Sequence, residues 1–299
     1  MRKTEEFDMV AGKNSRNERN IKILKTVLKH VAYILPTIIF IFPVFILVTR
    51  SFFTTEEITQ IGTGLFPKKF NLIGTYKEVF SNTAFLNGLK NTLLIVVCNV
   101  IGVPLTAFMA AYAFVKVPFV GKKLIFTAAL GTIMIPSILL LLPVYKIFVD
   151  IGWYDTLLPL TIPAFFGGGI MNIFMIMQFI RGIPGSLDEV AKLDGANMLQ
   201  RMFLLTLPLI KPIILYVAVT AFMTAWNDLM QPLLYIQSRE NWTVNMYIFR
   251  EYLSTDNVAR SKPNVQMGIG VVLMLPMLVI FMFYQETLIE GLTFTGMKE

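Results

Sequence analysis

The chain has 299 residues, of which 55% are hydrophobic and only 15% are charged, and its formal net charge is +7. So few charges cannot cover so much apolar surface in water, so the composition excludes an ordinary soluble domain and predicts an integral membrane protein. The single cysteine (Cys98) excludes an intrachain disulfide, and the single histidine (His30) argues against a histidine-rich metal site or a Ser-His-Asp triad.

The first predicted element is a basic segment over residues 1–30, which we expect to lie in the cytoplasm. Its first twenty-nine residues hold eight basic and four acidic side chains. A basic flank before an apolar run orients a membrane helix, whereas nucleic-acid binding needs a basic face on a soluble fold. We therefore expect no nucleic-acid partner. Because the leader and the apolar run are both longer than in a signal peptide, we expect the first span to be retained.

Six apolar stretches are long enough to cross the bilayer as helices. They are Val31–Thr49, Thr92–Val115, Leu124–Val149, Leu157–Ile180, Pro208–Leu229 and Val265–Tyr284. We therefore predict an all-α membrane protein with six transmembrane helices in a domain over residues 31–290. If both termini are cytoplasmic, including the tail 291–299, the inner segments hold sixteen basic residues and the outer segments ten. This excess predicts that orientation.

Proline recurs within these spans, and Gly167-Gly168-Gly169 lies in the middle of the fourth. Each proline removes a backbone donor and tends to kink its helix, and the glycines allow close contact or local unwinding. Any single proline is equally compatible with ordinary helix curvature. Together these residues favour a bundle that moves.

Charged side chains are scarce within the spans, and Asp228, close to the outer end of the fifth, is the one carboxylate among them. Proton- and sodium-coupled carriers keep such groups in the membrane for function, so a secondary transporter is the weaker alternative. A membrane-embedded enzyme would need clustered His, Asp or Glu, and we expect no catalytic and no metal-binding residue. Polar side chains suit a path for a neutral hydroxylated solute, and they suit helix–helix hydrogen bonds equally well. The candidates for the path are Asn99, Asn172, Gln178, Trp226, Asn227 and Asp228.

The loop over residues 181–208, between the fourth and fifth spans, predicts a helix-turn-helix. Ser186-x-x-Glu189 has the pattern of a capping box that begins a helix. Gly195 fits the position just after a helix, where a left-handed conformation ends it at little cost. The second short helix is predicted to present an apolar face, formed by Met198, Leu199, Met202 and Phe203.

This loop resembles the EAA signature of ABC importer permeases. In that signature Glu-Ala-Ala is followed by two residues, Asp-Gly-Ala, eight residues and Ile-x-Leu-Pro. The spacing is the same here, and Val190 and Leu205 are the two apolar departures. In that family the loop is the coupling helix, which sits in a cleft of the ATPase subunit. The alternative for Glu189 alone is a simple helix cap. The resemblance implies coupling through Glu189, Ala191, Asp194, Gly195, Ala196, Met198, Met202, Phe203, Leu207 and Pro208.

Two further segments resemble the maltose-type carbohydrate branch. Residues 290–298 are similar to the tail of its smaller permease subunit, although Thr295 and Glu299 depart from that pattern, and Trp226-Asn227-Asp228 is similar to a segment of the same branch. The resemblance implies a type I permease fold in a bacterial plasma membrane. The solute is expected to be a carbohydrate, with an oligosaccharide favoured, while glycerol phosphate, a polyamine or another small solute stays open.

The same resemblance implies the other members of the complex. They are a second homologous permease, two ATPase subunits that bind ATP and Mg, and an extracellular solute-binding protein. This chain would bind no cofactor itself, in agreement with the lack of a Gly-x-x-x-x-Gly-Lys-Ser/Thr loop in its sequence. Residues 237–262 would face the binding protein, and membrane lipid would surround the spans.

Overall fold

A computed structural model describes residues 2–253 and 262–296 of the chain, with the side chains of residues 25–252 and 262–285. Within these ranges the backbone is helical and contains no β-strand, which confirms the predicted all-α class. The chain divides into two compact units. One consists of Met1–Tyr76 with Lys262–Val271, and the other of Lys77–Ser261 with Val272–Glu299.

The α-helices follow one another along the chain with short irregular connections. In order they are α1 (Arg2–Arg50), α2 (Thr55–Ile58), α3 (Leu72–Ser81), α4 (Thr83–Lys116), α5 (Lys122–Gly131), α6 (Ser137–Asp150), α7 (Leu158–Thr161), α8 (Ile170–Arg181), α9 (Gly185–Leu193), α10 (Met198–Gln200), α11 (Leu207–Leu209), α12 (Lys211–Asn227), α13 (Met230–Tyr235), α14 (Val244–Ile248) and α15 (Pro263–Gly296). Short 3-10 segments cover Thr132–Met134, Ile162–Phe166 and Arg239–Asn241, and π-helical segments cover Arg201–Thr206 and Phe249–Leu253.

The described residues form six apolar spans when each bent pair of helices is taken as one span, in agreement with the prediction. Four spans are single stretches: Lys25–Arg50, Thr83–Lys116, Leu158–Arg181 and Pro263–Gln285. The other two are Lys122–Met134 with Ser137–Asp150, bent by 107°, and Met198–Leu209 with Lys211–Asn227, bent by 81°.

Both bends lie at prolines. Ile135 has an extended ψ of 117° directly before Pro136, because a proline ring clashes with a preceding residue in helical conformation. Ile210 leaves the helical region (φ −107°, ψ 16°) two residues before Pro212, which has no N–H for the helical ladder. The predicted span Leu124–Val149 therefore consists of two helices that meet at Pro136, in line with the expected tendency of its prolines to kink a helix.

The fourth span is unwound at its glycines, as predicted. Gly167, Gly168 and Gly169 all have positive φ, at 85°, 58° and 107°. The hydroxyl oxygen of Thr106 accepts a hydrogen bond from the Gly167 amide at 2.9 Å, which satisfies a donor that the unwound turn has freed. A Cβ on Gly168 would lie 2.5 Å from a methyl carbon of Val103, so the run also permits close contact with α4.

Helix α4 is the centre of the larger unit and packs against α8 and α12. Its Ala107 and Ala111 are fully buried, so the backbones of neighbouring helices approach closely there. Phe108 of α4, Ile176 of α8 and Val217 of α12 are at most 1% exposed and belong to the same apolar cluster. This cluster supports the loop that follows α8.

Within the smaller unit, a buried side-chain amide connects three helices. Asn264, at the start of α15, is 2% exposed. Its side-chain oxygen accepts a hydrogen bond from the Thr55 hydroxyl at 2.9 Å, and its amide nitrogen donates to the Thr75 hydroxyl at 3.1 Å. One buried side chain thus connects the starts of α2 and α15 with α3, and both ends of its amide are satisfied.

Candidate functional site

Helix α9 begins the predicted coupling loop, and it begins at Gly185 after Pro184. The N-cap residue is Pro184, whose side chain makes no capping hydrogen bond, and Ser186 already lies in the first turn of the helix. The predicted Ser186–Glu189 capping box is therefore wrong, because the N-cap is Pro184, whose preset φ starts the helix two residues earlier. Glu189 is exposed and makes no hydrogen bond or ion pair with the residues that the structure describes. The alternative role of Glu189 as a cap is excluded with it.

The end of α9 is a Schellman motif, as the position of Gly195 predicts. Gly195 has a φ of +80°, and its amide donates to the carbonyl of Lys192 at 3.0 Å. The Ala196 amide donates to the carbonyl of Ala191 at 2.9 Å. These two bonds satisfy the last carbonyls of the helix and set the direction in which the chain leaves it.

A capping box that the sequence analysis missed follows at once. The Asn197 side chain accepts from the Gln200 amide at 2.9 Å, and the Gln200 side chain accepts from the Asn197 amide at 2.8 Å. The signal was available as Asn-x-x-Gln directly after Gly-Ala, since Asn is a preferred N-cap residue. Backbone hydrogen bonds therefore hold the turn at the end of α9, and side-chain hydrogen bonds hold it at the start of α10.

A buried ion pair joins the two arms of this helix-turn-helix. One guanidinium nitrogen of Arg201 donates to both carboxylate oxygens of Asp188 at 3.1 Å. Lys192 adds a contact of 3.5 Å from the exposed side. Asp188 is 9% exposed. This pair was not predictable from the sequence, because thirteen residues and a turn separate its members and no local pattern indicates their contact.

Two apolar residues of the second arm, Met202 and Phe203, pack toward the core, contrary to prediction. Met202 is 4% exposed and belongs to the cluster around α4. Phe203 packs edge-on against Phe108, with ring centroids 6.0 Å apart. The prediction that Met202 presents its side chain to a partner is therefore wrong, because Met202 lies in the π-helical segment Arg201–Thr206 and packs into the chain's own core. Phe203 is half-buried, and its contact with a partner stays a prediction.

The surface of the loop is formed mainly by α9 and by the start of α10. Its exposed apolar side chains are Leu187, Val190, Leu193, Met198 and Leu199. An open groove of about 380 Å³ lies beside them, lined in part by Ala191, Asp194, Gly195 and Ala196. Leu207 is half-buried and Pro208 is exposed where the next span begins. The face that α9 presents to a partner is thus apolar, and the exposed Glu189 lies on the same helix.

A small polar pocket in the larger unit brings together two of the substrate-path candidates, Asn99 and Asp228. Its volume is about 60 Å³, and its other polar lining residues are Thr224, Gln231 and Thr243. The Asn99 amide nitrogen donates to the carbonyls of Ile95 and Leu160 at 2.9 and 3.0 Å, which fixes the orientation of its side chain. The Asp228 carboxylate accepts from the Gln231 amide at 3.2 Å.

The remaining path candidates lie elsewhere. Trp226 is 4% exposed, stacks on Phe222 and donates to the carbonyl of Leu273 at 3.3 Å, so the prediction that it lines a path is wrong. The amide groups of Asn227 and Asn172 donate within their own segments, to Met223 at 2.8 Å and to Gly168 at 3.0 Å. Gln178 is exposed and lies outside the polar pocket.

The connection between α6 and α7 carries an aspartate hub on the other side of the spans. The Asp155 carboxylate accepts from the Ser238 hydroxyl and from the amides of Ser238 and Gln237, at 2.8 and 2.9 Å for the amides. Asn241 donates to its backbone carbonyl at 2.6 Å. Burial raises the pKa of the Asp155 carboxyl, and these hydrogen bonds outweigh burial and hold the pKa below its usual range. The hub fixes the start of the segment 237–262, of which residues 254–261 lie outside the described residues.

Comparison with known proteins places this architecture in a family. The family described as "Binding-protein-dependent transport system inner membrane component" matches residues 102–293. The trehalose transport system permease protein SugB of Mycobacterium tuberculosis is 31% identical over 224 residues, or 75% of this chain and 81% of that protein. The sn-glycerol-3-phosphate transport system permease protein UgpE of Brucella abortus is 28% identical over 274 residues, or 89% of this chain and 95% of that protein.

A solved structure has the same fold. It is a bacterial ABC transporter involved in the import of the acidic polysaccharide alginate, and it aligns with a TM-score of 0.78 over 88% of this chain and 96% of the compared chain. The sequence identity is 19%, so the likeness concerns the fold. It confirms the predicted type I permease architecture. The chain is a multi-pass membrane permease and belongs to the binding-protein-dependent transport system inner membrane component family.

Proposed function

We propose that this permease forms one half of the membrane path of an ATP-driven carbohydrate importer and receives the force for transport through its coupling loop. The loop carries the proposal, because α9 presents an exposed apolar face and Glu189, which forms no ion pair with the described residues, and because the Asp188–Arg201 ion pair holds α9 in place. A second homologous permease would complete the path. Two ATPase subunits would bind ATP and Mg, and an extracellular binding protein would deliver the solute.

The restraints around α9 suit it to transmit force. The Schellman motif fixes its end, the Asn197–Gln200 box fixes the next turn, and Asp188–Arg201 ties both arms together. A movement of α9 therefore shifts Arg201 and the π-helical segment that leads into the fifth span. An exposed amphipathic helix that is held in this way is suited to dock into a groove on a partner. Glu189 and the apolar face would contact that groove.

The choice of a carbohydrate rests on the relatives and on the polar pocket. A relative named for trehalose and a fold relative named for alginate both handle sugars. The second candidate is glycerol phosphate, which the similarity to UgpE favours. The Asp228 carboxylate in the pocket would repel a phosphate, whereas hydroxyl groups bond to carboxylates and amides. The pocket therefore favours the sugar.

The proposal includes an arrangement of the chain in the plasma membrane. Residues 1–30 and 291–299 would lie in the cytoplasm together with the loop 181–208, and residues 31–290 would form the permease domain. The side chains of the tail lie outside the described residues. Residues 237–262 would face the binding protein, because the Asp155 hub presents the start of this segment on the opposite side from α9.

Reconstitution of the full complex tests the proposal. The purified chain alone is expected to hydrolyse no ATP. With the second permease and the ATPase in proteoliposomes, hydrolysis should rise when binding protein and a cognate oligosaccharide are added, and labelled sugar should accumulate. Glycerol phosphate with its own binding protein is the matched comparison. Hydrolysis by the chain alone, or accumulation of glycerol phosphate in preference to every sugar, would contradict the proposal.

A further inference from the structure

A basic pocket lies where α4 ends, α5 begins and α8 ends. Its volume is about 270 Å³, and it is lined by Phe114, Lys122, Lys123, Phe126, Met177 and Arg181. Three of these six side chains are cationic and none is acidic. The pocket is on the same side of the membrane as the coupling loop, since Arg181 is the last residue of α8 and α9 begins four residues later.

One of the three cations is held in place by the backbone. The Lys122 ammonium donates to the carbonyls of Val117 and Val115, at 3.2 and 3.5 Å, just beyond and within the end of α4. The other two, Lys123 and Arg181, are exposed and form no ion pair with the side chains that the structure describes. The pocket thus combines a fixed positive charge with two unneutralised ones.

The rest of the pocket is apolar and continues onto an exposed apolar surface at the start of α5. Phe114 and Phe126 pack with ring centroids 5.5 Å apart. Directly after the two lysines, Leu124 and Ile125 of α5 are 76% and 51% exposed. A soluble anion would use the cations and leave this apolar surface unused. A phospholipid uses both, because its phosphate pairs with cations and its acyl chains cover the aromatic and aliphatic side chains.

We propose that this pocket binds the headgroup phosphate of an anionic phospholipid from the leaflet on the coupling-loop side. Basic pockets between membrane helices on that side are suited to anionic headgroups. The planar guanidinium of Arg181 offers paired donors to phosphate oxygens, and Lys123 offers a flexible ammonium. The bound lipid would join α5 to the end of α8, at the start of the coupling loop.

The test measures lipid retention by the full chain. The wild-type protein and its variants are exchanged into nanodiscs of phosphatidylcholine with a trace of labelled phosphatidylglycerol, and the affinity for the labelled lipid is obtained by titration. The double variant Lys123→Gln/Arg181→Gln should lose roughly 30-fold in affinity, since each basic residue near an anionic surface contributes about a factor of five. Lys116→Gln is the matched control, because it removes one charge from the end of α4 outside the pocket. Lys122 is left unchanged because it holds the end of α4.

Three further measurements distinguish a bound phospholipid from other occupants of the pocket. Labelled diacylglycerol, which has no phosphate, should be retained weakly and equally by all variants. Inorganic phosphate at millimolar concentration should not displace phosphatidylglycerol. Equal affinity in the double variant and the Lys116→Gln control would overturn the proposal, and so would displacement by inorganic phosphate. Unchanged lipid affinity in a double variant that no longer co-purifies with the ATPase would overturn the proposal and assign Lys123 and Arg181 to that partner instead.

Discussion

The coupling loop and the Asp155 hub each use one aspartate to close a turn, but the aspartates have different partners. Asp188 is paired with the cations Arg201 and Lys192 and lies 9% exposed against the core. Among the described residues, the donors to the Asp155 carboxylate are uncharged, namely two backbone amides and a hydroxyl, and Asp155 is half-buried. The Asp188 pair connects two helical arms across a turn, and the Asp155 hub connects two segments that are far apart in the sequence.

The two kinds of partner predict different responses to mutation. Removal of one member of a buried ion pair leaves the other charge without a partner, at a cost of about 3–5 kcal/mol. Loss of one uncharged donor from a half-exposed carboxylate is compensated by water, so it costs about 1 kcal/mol. We therefore expect the coupling loop to fail as a unit and the hub to weaken in small steps.

The largest expected effect concerns the side of the membrane on which each region lies. In a Cys98→Ser background without the ATPase, Glu240→Cys should react with an impermeant thiol reagent in intact cells. Ser186→Cys in α9 should react only after permeabilisation. Both positions are exposed and neither is an anchor of its loop. Equal labelling of the two positions before permeabilisation would disprove opposite sides.

The buried pair should give the next largest effect. Arg201→Met should destabilise the folded coupling loop by about 3 kcal/mol, because Asp188 then keeps its charge in a buried site without its main partner. The ATPase should no longer co-purify with this variant. Lys192→Met is the control, since this lysine is exposed and its pair should contribute less than about 1 kcal/mol. The double variant Asp188→Leu/Arg201→Met should recover part of the attachment. Wild-type attachment in Arg201→Met would show that the pair does not support the loop.

Gly195 tests the backbone separately from packing. A Cβ added at either Gly195 or Gly185 would meet open space, but only Gly195 has a positive φ. Gly195→Val should therefore cost about 1–3 kcal/mol in strain and weaken ATPase attachment, whereas Gly185→Val should attach nearly as wild type. Substrate uptake measured in parallel distinguishes lost assembly from uncoupled transport. Similar attachment for the two variants would mean that the left-handed turn has no role in docking.

The Asn197 cap should have a smaller effect in the same loop. Asn197→Ala removes the acceptor for the Gln200 amide and should cost about 1 kcal/mol, while Asn197→Ser should retain most of the stability. Protection of the Gln200 amide in hydrogen exchange measures the change directly. Identical protection in the alanine and serine variants would argue that the backbone bonds of the turn suffice.

The smallest effect is expected at the hub and depends on pH. Because the pKa of Asp155 is lowered in the folded protein, its contribution to stability is complete above its ordinary pKa of about 4 and is lost as pH falls through the folded value. After correction for intrinsic rates, the Gln237 and Ser238 amides should exchange faster below pH 4 in the wild-type protein. In Asp155→Asn they should exchange faster at pH 7 and change little on acidification. A pH response that persists in Asp155→Asn would have another origin.

The sequence by itself determined the spans, the family signature and the left-handed turn at Gly195. Each of these depends on residues close together in the chain: about twenty consecutive apolar residues, a fixed motif spacing, or one residue type that tolerates positive φ. The unwinding at Gly167-Gly168-Gly169 was predictable for the same reason. The Asn197–Gln200 box was equally local and could have been found by the same method.

The direction in which the side chains of the second arm face, and the contacts between distant polar groups, depend on the packing of the whole chain. Periodicity placed Met202 and Phe203 on one apolar face, but whether that face turns to a partner or to α4 depends on the π-helical segment and on the direction of the preceding turn. Asp188 meets Arg201, and Asp155 meets Ser238, only because the fold brings distant segments together. Local patterns report the conformation of a segment, whereas contacts between segments are decided by packing of the whole chain.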